Sequence, residues 1–258
     1  MTGVLRIALG EYDTGWHDPA ASLARVSRLA NTAARDGAHL VVLPEMCTTG
    51  FTMDAAGQAE PLDGESVPAL GHIAAEAGVY LLAGVALRER DSQGDRAVNA
   101  AILFADDGAV RTVYRKQRVF GYAGEDAVYA AGEEAVITSV RGVRIAPFVC
   151  YDLRFPELFR RVSRDVDVMA ILANWPASRR AHWDALIRAR AIENQCYVVA
   201  VNRVGAGGGI AYDGGSAAFD PWGDQLAPAG DVVPIVEVDP DRVRAVREEY
   251  PFLRDYRG

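Results

Sequence analysis

Several segments of this chain are apolar at nearly every position, and they constrain the possible folds more than any other feature of the sequence. A continuous apolar run is typical of a strand in a sheet that is covered on both faces, because neither face then meets water. The runs that fit this description lie at residues 38–43, 143–149, 166–173 and 197–204. The chain therefore contains buried strands rather than strands with one solvated face.

Segments with the 3.6-residue spacing of an amphipathic helix alternate with strands along the chain. The predicted helices are residues 19–35, 67–77, 156–164, 182–194 and 240–249. Further strands are predicted at residues 5–12, 79–87, 99–104, 110–116, 136–140, 215–219 and 232–238. No low-complexity linker or fixed repeat interrupts this order. The alternation predicts sheets covered by helices, which is a layered α/β sandwich formed by one domain over residues 1–258.

The charge and cysteine content exclude some functions. The 258 residues include 27 Lys and Arg against 35 Asp and Glu, a net charge of −8, which argues against nucleic acid or an anionic membrane as the main partner. No apolar run approaches the length of a membrane span, and residues 1–10 read as a strand rather than a signal peptide. Three cysteines, Cys47, Cys150 and Cys196, lack a Cys-x-x-Cys pair. They favour reduced thiols in the cytoplasm.

Cys150 lies where a buried strand ends and a turn opens a helix. The free backbone N–H groups at the start of a helix favour a thiolate and can also hold an oxyanion. A small core hydrophobe is the commoner fate of a free cysteine. The stretch alone therefore leaves both interpretations open.

Glu45 and Lys116 also follow predicted strands. A carboxylate can take the proton of a thiol, and an ammonium can stabilise the thiolate or a developing oxyanion. Glu45 could equally be a turn cap, and Lys116 could be a solvated charge. The four histidines show no metal-ligand spacing; His182 fits a structural role better than a Cys–His dyad. The glycine-rich loop at residues 205–209 matches neither a dinucleotide fingerprint nor a P-loop, so mobility or tight backbone approach is its expected role.

The chain resembles the nitrilase, or carbon–nitrogen hydrolase, superfamily. The matching motifs are LPEM at residues 43–46, YRK at 114–116, VCYDLRFPE at 149–157 and RARAIENQCY at 188–197. The resemblance implies a four-layer αββα sandwich that forms a homodimer or a higher homo-oligomer. It also implies an amidase with a Glu–Lys–Cys site at Glu45, Lys116 and Cys150, and no metal or organic cofactor.

Many amidases of this family carry a second glutamate between the lysine and the cysteine. Its placement before the YAAG segment at residues 129–132 indicates Glu125, although the adjacent Asp126 is an alternative and a simple loop charge is another. The resemblance further implies that the backbone N–H of Tyr151 helps to hold the oxyanion while a thioester forms on Cys150.

The segments NWPASR at residues 174–179 and EMCTTGF at 45–51 are similar to the ω-amidase branch, which includes YafV-like proteins. This branch implies a small amide as the partner, namely the ω-amide of a short α-keto dicarboxylic acid such as 2-oxoglutaramate. The residues then expected to bind the substrate are Phe51, Arg154, Asn174, Trp175 and Arg179. Arg154 could instead pair with Asp152, Glu157 or another acid, and Trp175 could be core.

Three other functions remain open at this point. The close alternative is a deaminated glutathione amidase, because residues 151–158 also fit that branch. A true nitrilase or an N-carbamoyl hydrolase fits less well. A nitrilase-fold interaction protein without turnover is the alternative that is not an enzyme.

Overall fold

The computed structural model describes residues 3–91, 94–229 and 232–257. Its strands are β1 (Leu5–Leu9), β2 (Leu40–Val42), β3 (Tyr80–Asp91), β4 (Gly94–Phe104), β5 (Val110–Arg115), β6 (Thr138–Val140), β7 (Val143–Val149), β8 (Val168–Ala173), β9 (Tyr197–Asn202), β10 (Val204–Gly207), β11 (Ile210–Asp213), β12 (Ala217–Phe219) and β13 (Ile235–Val238). Its α-helices are α1 (Pro19–Arg35), α2 (Ala55–Gln58), α3 (Ser66–Ala77), α4 (Pro156–Val162), α5 (Arg180–Asn194) and α6 (Pro240–Glu249). Residues 1–2, 92–93, 230–231 and 258 of the predicted domain lie outside the described residues.

Two sheets form the centre of the fold. The first has the strand order β13-β1-β2-β3-β4-β5, and the second has the order β12-β9-β8-β7-β6. Parallel pairing joins β1 to β2 and β2 to β3 in the first sheet, and β7 to β8 and β8 to β9 in the second. Since parallel strands have their carboxyl ends at one edge, the loops that follow β2 and β7 are placed to build a site.

Side chains on the two faces of the first sheet enter different cores. On β2, Leu40 and Val42 pack with the second sheet, α4 and α5, whereas Val41 packs with α1 and α3. The layers therefore run α1/α3, first sheet, second sheet, α4/α5. This confirms the four-layer αββα sandwich predicted for the chain.

The glycine-rich segment at residues 205–209 departs from its predicted role as a loop. Residues 205–207 lie in β10 and residues 208–209 form the turn to β11; the two strands make an antiparallel hairpin. Gly208 and Gly209 have φ of 57° and 78°, the left-handed conformation that a tight hairpin turn requires. Glycine content alone did not reveal that the flanking residues pair as strands.

In the described parts of the chain, no helix combines the length and the apolar character needed to cross a membrane.

Candidate active site

Cys150 lies at the junction between β7 and a 3₁₀ turn, Cys150–Arg154. Its backbone φ is 44°, a left-handed conformation that costs a residue with a side chain about 1–3 kcal/mol and is concentrated at functional sites. The Cys150 sulfur is 3.9 Å from the carbonyl oxygen of Asn174. α4 begins only at Pro156. The amides that follow the sulfur therefore belong to a 3₁₀ turn, not to the first turn of the α-helix as the sequence suggested.

Glu45 and Lys116 follow β2 and β5, and their side chains meet between the loops that carry them. Lys116 Nζ donates to Glu45 Oε1 at 2.8 Å, and both side chains are fully buried. A buried charge needs a partner because its desolvation is expensive. The alternatives of a turn cap for Glu45 and a solvated charge for Lys116 are therefore wrong.

Glu125 completes this buried ion cluster. Lys116 Nζ lies 3.0 Å from Glu125 Oε1 and 2.9 Å from Oε2. The backbone N–H of Phe120 donates to Oε2 at 2.5 Å. Glu125 is buried, whereas Asp126 is exposed. The structure thus selects Glu125 over Asp126 as the residue that joins the cluster, and it rules out a simple loop charge.

Two asparagines, Asn99 and Asn174, donate hydrogen bonds to the carboxylates. No sequence motif indicated a role for Asn99. Asn99 Nδ2 donates to Glu45 Oε1 at 2.7 Å and to Glu125 Oε1 at 2.8 Å. Asn174 was predicted to bind substrate. Its backbone N–H donates to Glu45 Oε2 at 3.0 Å and its Nδ2 donates to the Glu45 backbone oxygen at 2.5 Å. Asn174 therefore orients Glu45 and also borders the cavity described below.

The cluster carries two carboxylates and one ammonium beside a thiol. Burial of the sulfur and the carboxylate of Glu45 raise the pKa of the Cys150 thiol well above its ordinary value, while Lys116 opposes this shift. Burial works against the charge of Lys116, but Glu45 and Glu125 outweigh it and raise the pKa of the ammonium. Burial and Glu45 thus favour the protonated thiol, and the two glutamates favour the charged lysine, whereas neighbouring amides alone would favour a thiolate.

A small cavity of about 130 Å³ opens onto the Cys150 sulfur and Lys116. Its wall contains all five residues predicted to bind substrate, together with Tyr151. Those five are Phe51, Arg154, Asn174, Trp175 and Arg179. The hairpin β10–β11 adds Ile210 and Tyr212 to the wall. The structure therefore brings the predicted nucleophile and the predicted binding residues to one cavity.

The two arginines of the cavity lie against aromatic rings. The Arg154 guanidinium is 4.8 Å from the Trp175 ring centre and hydrogen-bonds to His182 Nδ1 at 3.1 Å. The Arg179 guanidinium is 5.4 Å from the ring centre of Phe120. Trp175 is only 3% exposed, so it is a core residue and a wall residue at once.

The acids proposed as partners of Arg154 have other roles. Asp152 is fully buried and accepts from Tyr114 Oη at 2.7 Å, from the Val149 N–H at 2.9 Å and from the Arg118 N–H at 2.8 Å. Glu157 pairs with Arg118 at 3.6 Å. Asp152 thus links the Cys150 turn to the segment that follows Lys116. We call this set of hydrogen bonds the latch, and no sequence motif indicated it.

The sequence profile described as carbon-nitrogen hydrolase matches residues 6–248. This chain belongs to that family. The omega-amidase YafV of Yersinia enterocolitica is 38% identical to it over 255 residues, which cover 97% of this chain and 96% of that protein. The 2-oxoglutaramate amidase of Bacillus subtilis (strain 168) is 32% identical over 252 residues, covering 96% and 95%.

Solved structures of the family share the fold. XC1258 from Xanthomonas campestris, a CN-hydrolase superfamily protein with an arsenic adduct in its active site, superposes with a TM-score of 0.90 at 36% identity, covering 99% of this chain and 98% of that one. An amidase mutant from Nesterenkonia sp. AN1, with the acetamide moiety of fluoroacetamide added covalently at its active site cysteine, gives a TM-score of 0.83 at 25% identity, covering 98% and 94%.

These relatives identify the chain as a hydrolase that acts on carbon–nitrogen bonds of amides. The alternative of an interaction protein without turnover is therefore not supported. Within the residues that the structure describes, no group of three or more His, Cys, Asp or Glu side chains is arranged to hold a metal ion.

Proposed function

We propose that this amidase hydrolyses the ω-amide of a short α-keto dicarboxylic acid, such as 2-oxoglutaramate, to the acid and ammonia. One observation carries the proposal: Lys116 and Cys150, from separate segments, line one small cavity, and Glu45 and Glu125, from two further segments, both contact the Lys116 ammonium. The names of the omega-amidase and 2-oxoglutaramate amidase relatives support this substrate class.

The first half of the proposed reaction forms a thioester. Glu45 takes the proton of the Cys150 thiol as the sulfur bonds to the amide carbon, and the carbonyl electrons move onto oxygen. Lys116 and the backbone N–H of Tyr151 hold this oxyanion, each worth about 3 kcal/mol in the transition state. The carbon–nitrogen bond then breaks, the nitrogen takes the proton from Glu45, and ammonia leaves.

The second half releases the acid. A water gives a proton to Glu45, with help from Glu125, while its oxygen attacks the thioester carbon. The carbon–sulfur bond breaks as the carbonyl re-forms, and the thiolate of Cys150 takes the proton from Glu45, which returns the site to its starting state. Lys116 stabilises both oxyanions because its ammonium stays charged between Glu45 and Glu125. The same groups thus serve twice, and the mechanism calls for no metal or organic cofactor.

The substrate's carboxylate requires a local cation because the chain as a whole carries a net charge of −8. Arg154 and Arg179 both border the cavity, and a guanidinium binds a carboxylate through two parallel hydrogen bonds. We propose that these arginines bind the α-keto acid end, while Phe51 and Trp175 confine its short chain.

The size of the cavity favours a short amide over deaminated glutathione. A volume of about 130 Å³ lies below the range of about 300–1,000 Å³ that is usual for drug-sized ligands. The tripeptide-derived amide is the larger substrate and would have to extend beyond this space.

The test compares ammonia release from 2-oxoglutaramate, 2-oxosuccinamate, deaminated glutathione, an N-carbamoyl amino acid and a simple nitrile. The ω-amides should have the highest kcat/KM, and Cys150→Ala and Cys150→Ser should abolish turnover. Cys196→Ala is the matched control, since Cys196 is a buried cysteine of the hydrophobic core, and it should remain active. Ammonia release that survives Cys150→Ala would refute the assigned nucleophile, whereas preference for another amide would refute only the substrate.

We also propose that the amidase is a homodimer. Ile192, Trp222 and Phe252 are 50%, 45% and 59% exposed, and Tyr250 bridges the Trp222 and Phe252 rings at 4.7 and 5.8 Å. Such a contiguous apolar surface beside α5 fits an interface. Light scattering should give twice the chain mass, and Trp222→Glu should reduce it; a wild-type monomer would contradict the proposal.

A cytoplasmic location is proposed on a different ground. All three cysteines are free thiols, and the proposed chemistry requires one of them to stay reduced.

A further inference from the structure

Asn99 contacts both carboxylates of the ion cluster, although no sequence motif indicated a role for it. It is a fully buried polar residue within the otherwise apolar second half of β4. Both hydrogens of its side-chain amide are directed to carboxylates, one to Glu45 Oε1 and one to Glu125 Oε1. A neutral amide therefore joins the two acids of the site directly.

Asn99 is held in place by the strand pairing on both sides of β4. β4 is paired on one side with β3, where Asn99 lies opposite Ala86, and on the other side with β5. The backbone N–H of Lys116 donates to the Asn99 carbonyl oxygen at 2.8 Å. The residue consequently positions Lys116 through its main chain and both carboxylates through its side chain.

Asn99 and Lys116 donate to the same two oxygen atoms. Glu45 Oε1 accepts from Lys116 Nζ and from Asn99 Nδ2, and so does Glu125 Oε1. Glu45 Oε2 instead accepts from the amide groups of Asn174. The Asn174 carbonyl oxygen also lies near the Cys150 sulfur. The Oε2 atom is thus the Glu45 oxygen that does not accept from Lys116 or Asn99.

We propose that Asn99 is a positioning residue: it keeps Glu45 and Glu125 ionised at a fixed separation and leaves Glu45 Oε2 as the atom that takes the thiol proton. This inference rests on the proposed function of the cluster. Two carboxylates that share one ammonium repel each other, so that one of them tends to gain a proton. Hydrogen bonds donated to carboxylates favour their charged form and oppose that tendency.

The main test replaces Asn99 with leucine, which has a similar volume and no N–H donor. Asn99→Leu should lower kcat/KM for 2-oxoglutaramate by roughly 10- to 100-fold, because misplacement of a catalytic group by an ångström has an effect of this size. The loss should fall on kcat with little change in KM. The acid limb of the kcat/KM–pH profile should move to higher pH, since a shared proton on the acid pair blocks proton transfer.

Asn194→Leu is the matched control. Asn194 is equally buried, and its Nδ2 donates to the Arg190 backbone oxygen at 2.9 Å, away from the acids. This variant should lower the thermal midpoint without moving the pH profile. Asn99→Asp provides a second variant of the same volume if Asn99→Leu does not fold, and it should move the acid limb further because it adds a third carboxylate.

A second readout separates this inference from the choice of substrate. The rate of Cys150 alkylation by iodoacetamide requires no amide turnover. Its pH profile should shift so that Asn99→Leu reacts faster than the wild type on the acid side, where the acid pair of the variant carries a proton and repels the thiolate less. If none of the amides is hydrolysed by the wild-type protein, the proposed function fails while this shift still supports Asn99. Unchanged profiles in both assays, with a stability loss like that of Asn194→Leu, would show that Asn99 is merely structural.

Discussion

Substitution of Glu45 by glutamine should make Cys150 more reactive while abolishing amide hydrolysis. The side chains have almost the same volume, so the change mainly removes one negative charge beside the sulfur. Because that charge raises the pKa of the Cys150 thiol, its removal lowers this pKa and increases the thiolate fraction at neutral pH. Turnover is lost nevertheless, since glutamine can neither take the thiol proton nor return it to the leaving nitrogen.

The size of the effect follows from the charge that is removed. A neighbouring charge within about 4–6 Å typically shifts a pKa by about 1–3 units. Each unit gives about ten times more thiolate, but the thiolate becomes intrinsically less nucleophilic, with a Brønsted coefficient of about 0.4–0.5, which leaves a gain of about 3.5-fold per unit. Glu45→Gln should therefore react with iodoacetamide roughly 3- to 50-fold faster than the wild type below the thiol pKa.

The assay measures the alkylation rate between pH 6 and 9 together with ammonia release, on protein shown by thermal unfolding to be folded. Two further variants test the direction of the change in alkylation rate. Glu125→Gln should accelerate alkylation less, because Glu125 contributes less than Glu45 to the raised pKa of Cys150. Lys116→Met should slow it, because the ammonium lowers that pKa; it should also cost about 3–5 kcal/mol of stability, since two buried carboxylates lose their cation.

Slower alkylation in a folded Glu45→Gln variant would refute this reasoning. It would mean that the carboxylate generates the thiolate in the resting protein, so that the net effect of Glu45 on the thiol is activation and not suppression.

Two further substitutions test the scaffold of the site. Asp152→Asn places an NH₂ group against backbone N–H donors, so it should lower kcat and reduce the free energy of unfolding by about 2–4 kcal/mol. Tyr114→Phe removes one of the three hydrogen bonds to Asp152 and should reduce the free energy of unfolding by only about 1 kcal/mol. Equal losses for the two variants in urea unfolding would exclude the latch. Gly84→Ala would place a Cβ 2.5 Å from the Glu45 Cα and 2.7 Å from the Pro44 oxygen. It should displace Glu45 and lower kcat by about 10- to 100-fold, and an alanine variant with unchanged kcat would show that the loop adjusts without moving the carboxylate.

The layered fold was predictable because its signal is local. In uninterrupted apolar strands and amphipathic helices, the pattern of consecutive residues shows which positions are buried. The helices α1 and α6 accordingly have the predicted bounds. The hairpin β10–β11 was not predictable in the same way. Its strands are short, rich in glycine and mostly exposed, so neither alternation nor an apolar run marks them.

Within the site, the predicted residues were those that carry recognisable motifs, whereas the hydrogen bonds that orient Glu45 join residues far apart in the sequence. Asn174 contacts Glu45 across 129 residues of sequence, and Asn99 contacts Glu45 across 54. No spacing rule connects such positions. A signal was nevertheless present for Asn99, because a lone amide within an apolar strand must find hydrogen-bond partners once it is buried.

The charge count of the site explains why a protonated thiol suits the proposed chemistry. In the proposed mechanism both glutamates are ionised before the reaction and oppose Lys116, so the buried cluster carries a net charge of −1. When Glu45 takes the thiol proton and the substrate oxygen becomes an oxyanion, the net charge is still −1. The negative charge moves from one neighbour of Lys116 to another, so none has to be desolvated during the reaction. A resting thiolate beside two ionised glutamates would add a second uncompensated charge to a buried site, where its desolvation is costly. Suppression of the thiolate by Glu45 therefore belongs to the same arrangement that lowers the barrier, because fixed charges that already surround the oxyanion position need little reorganisation.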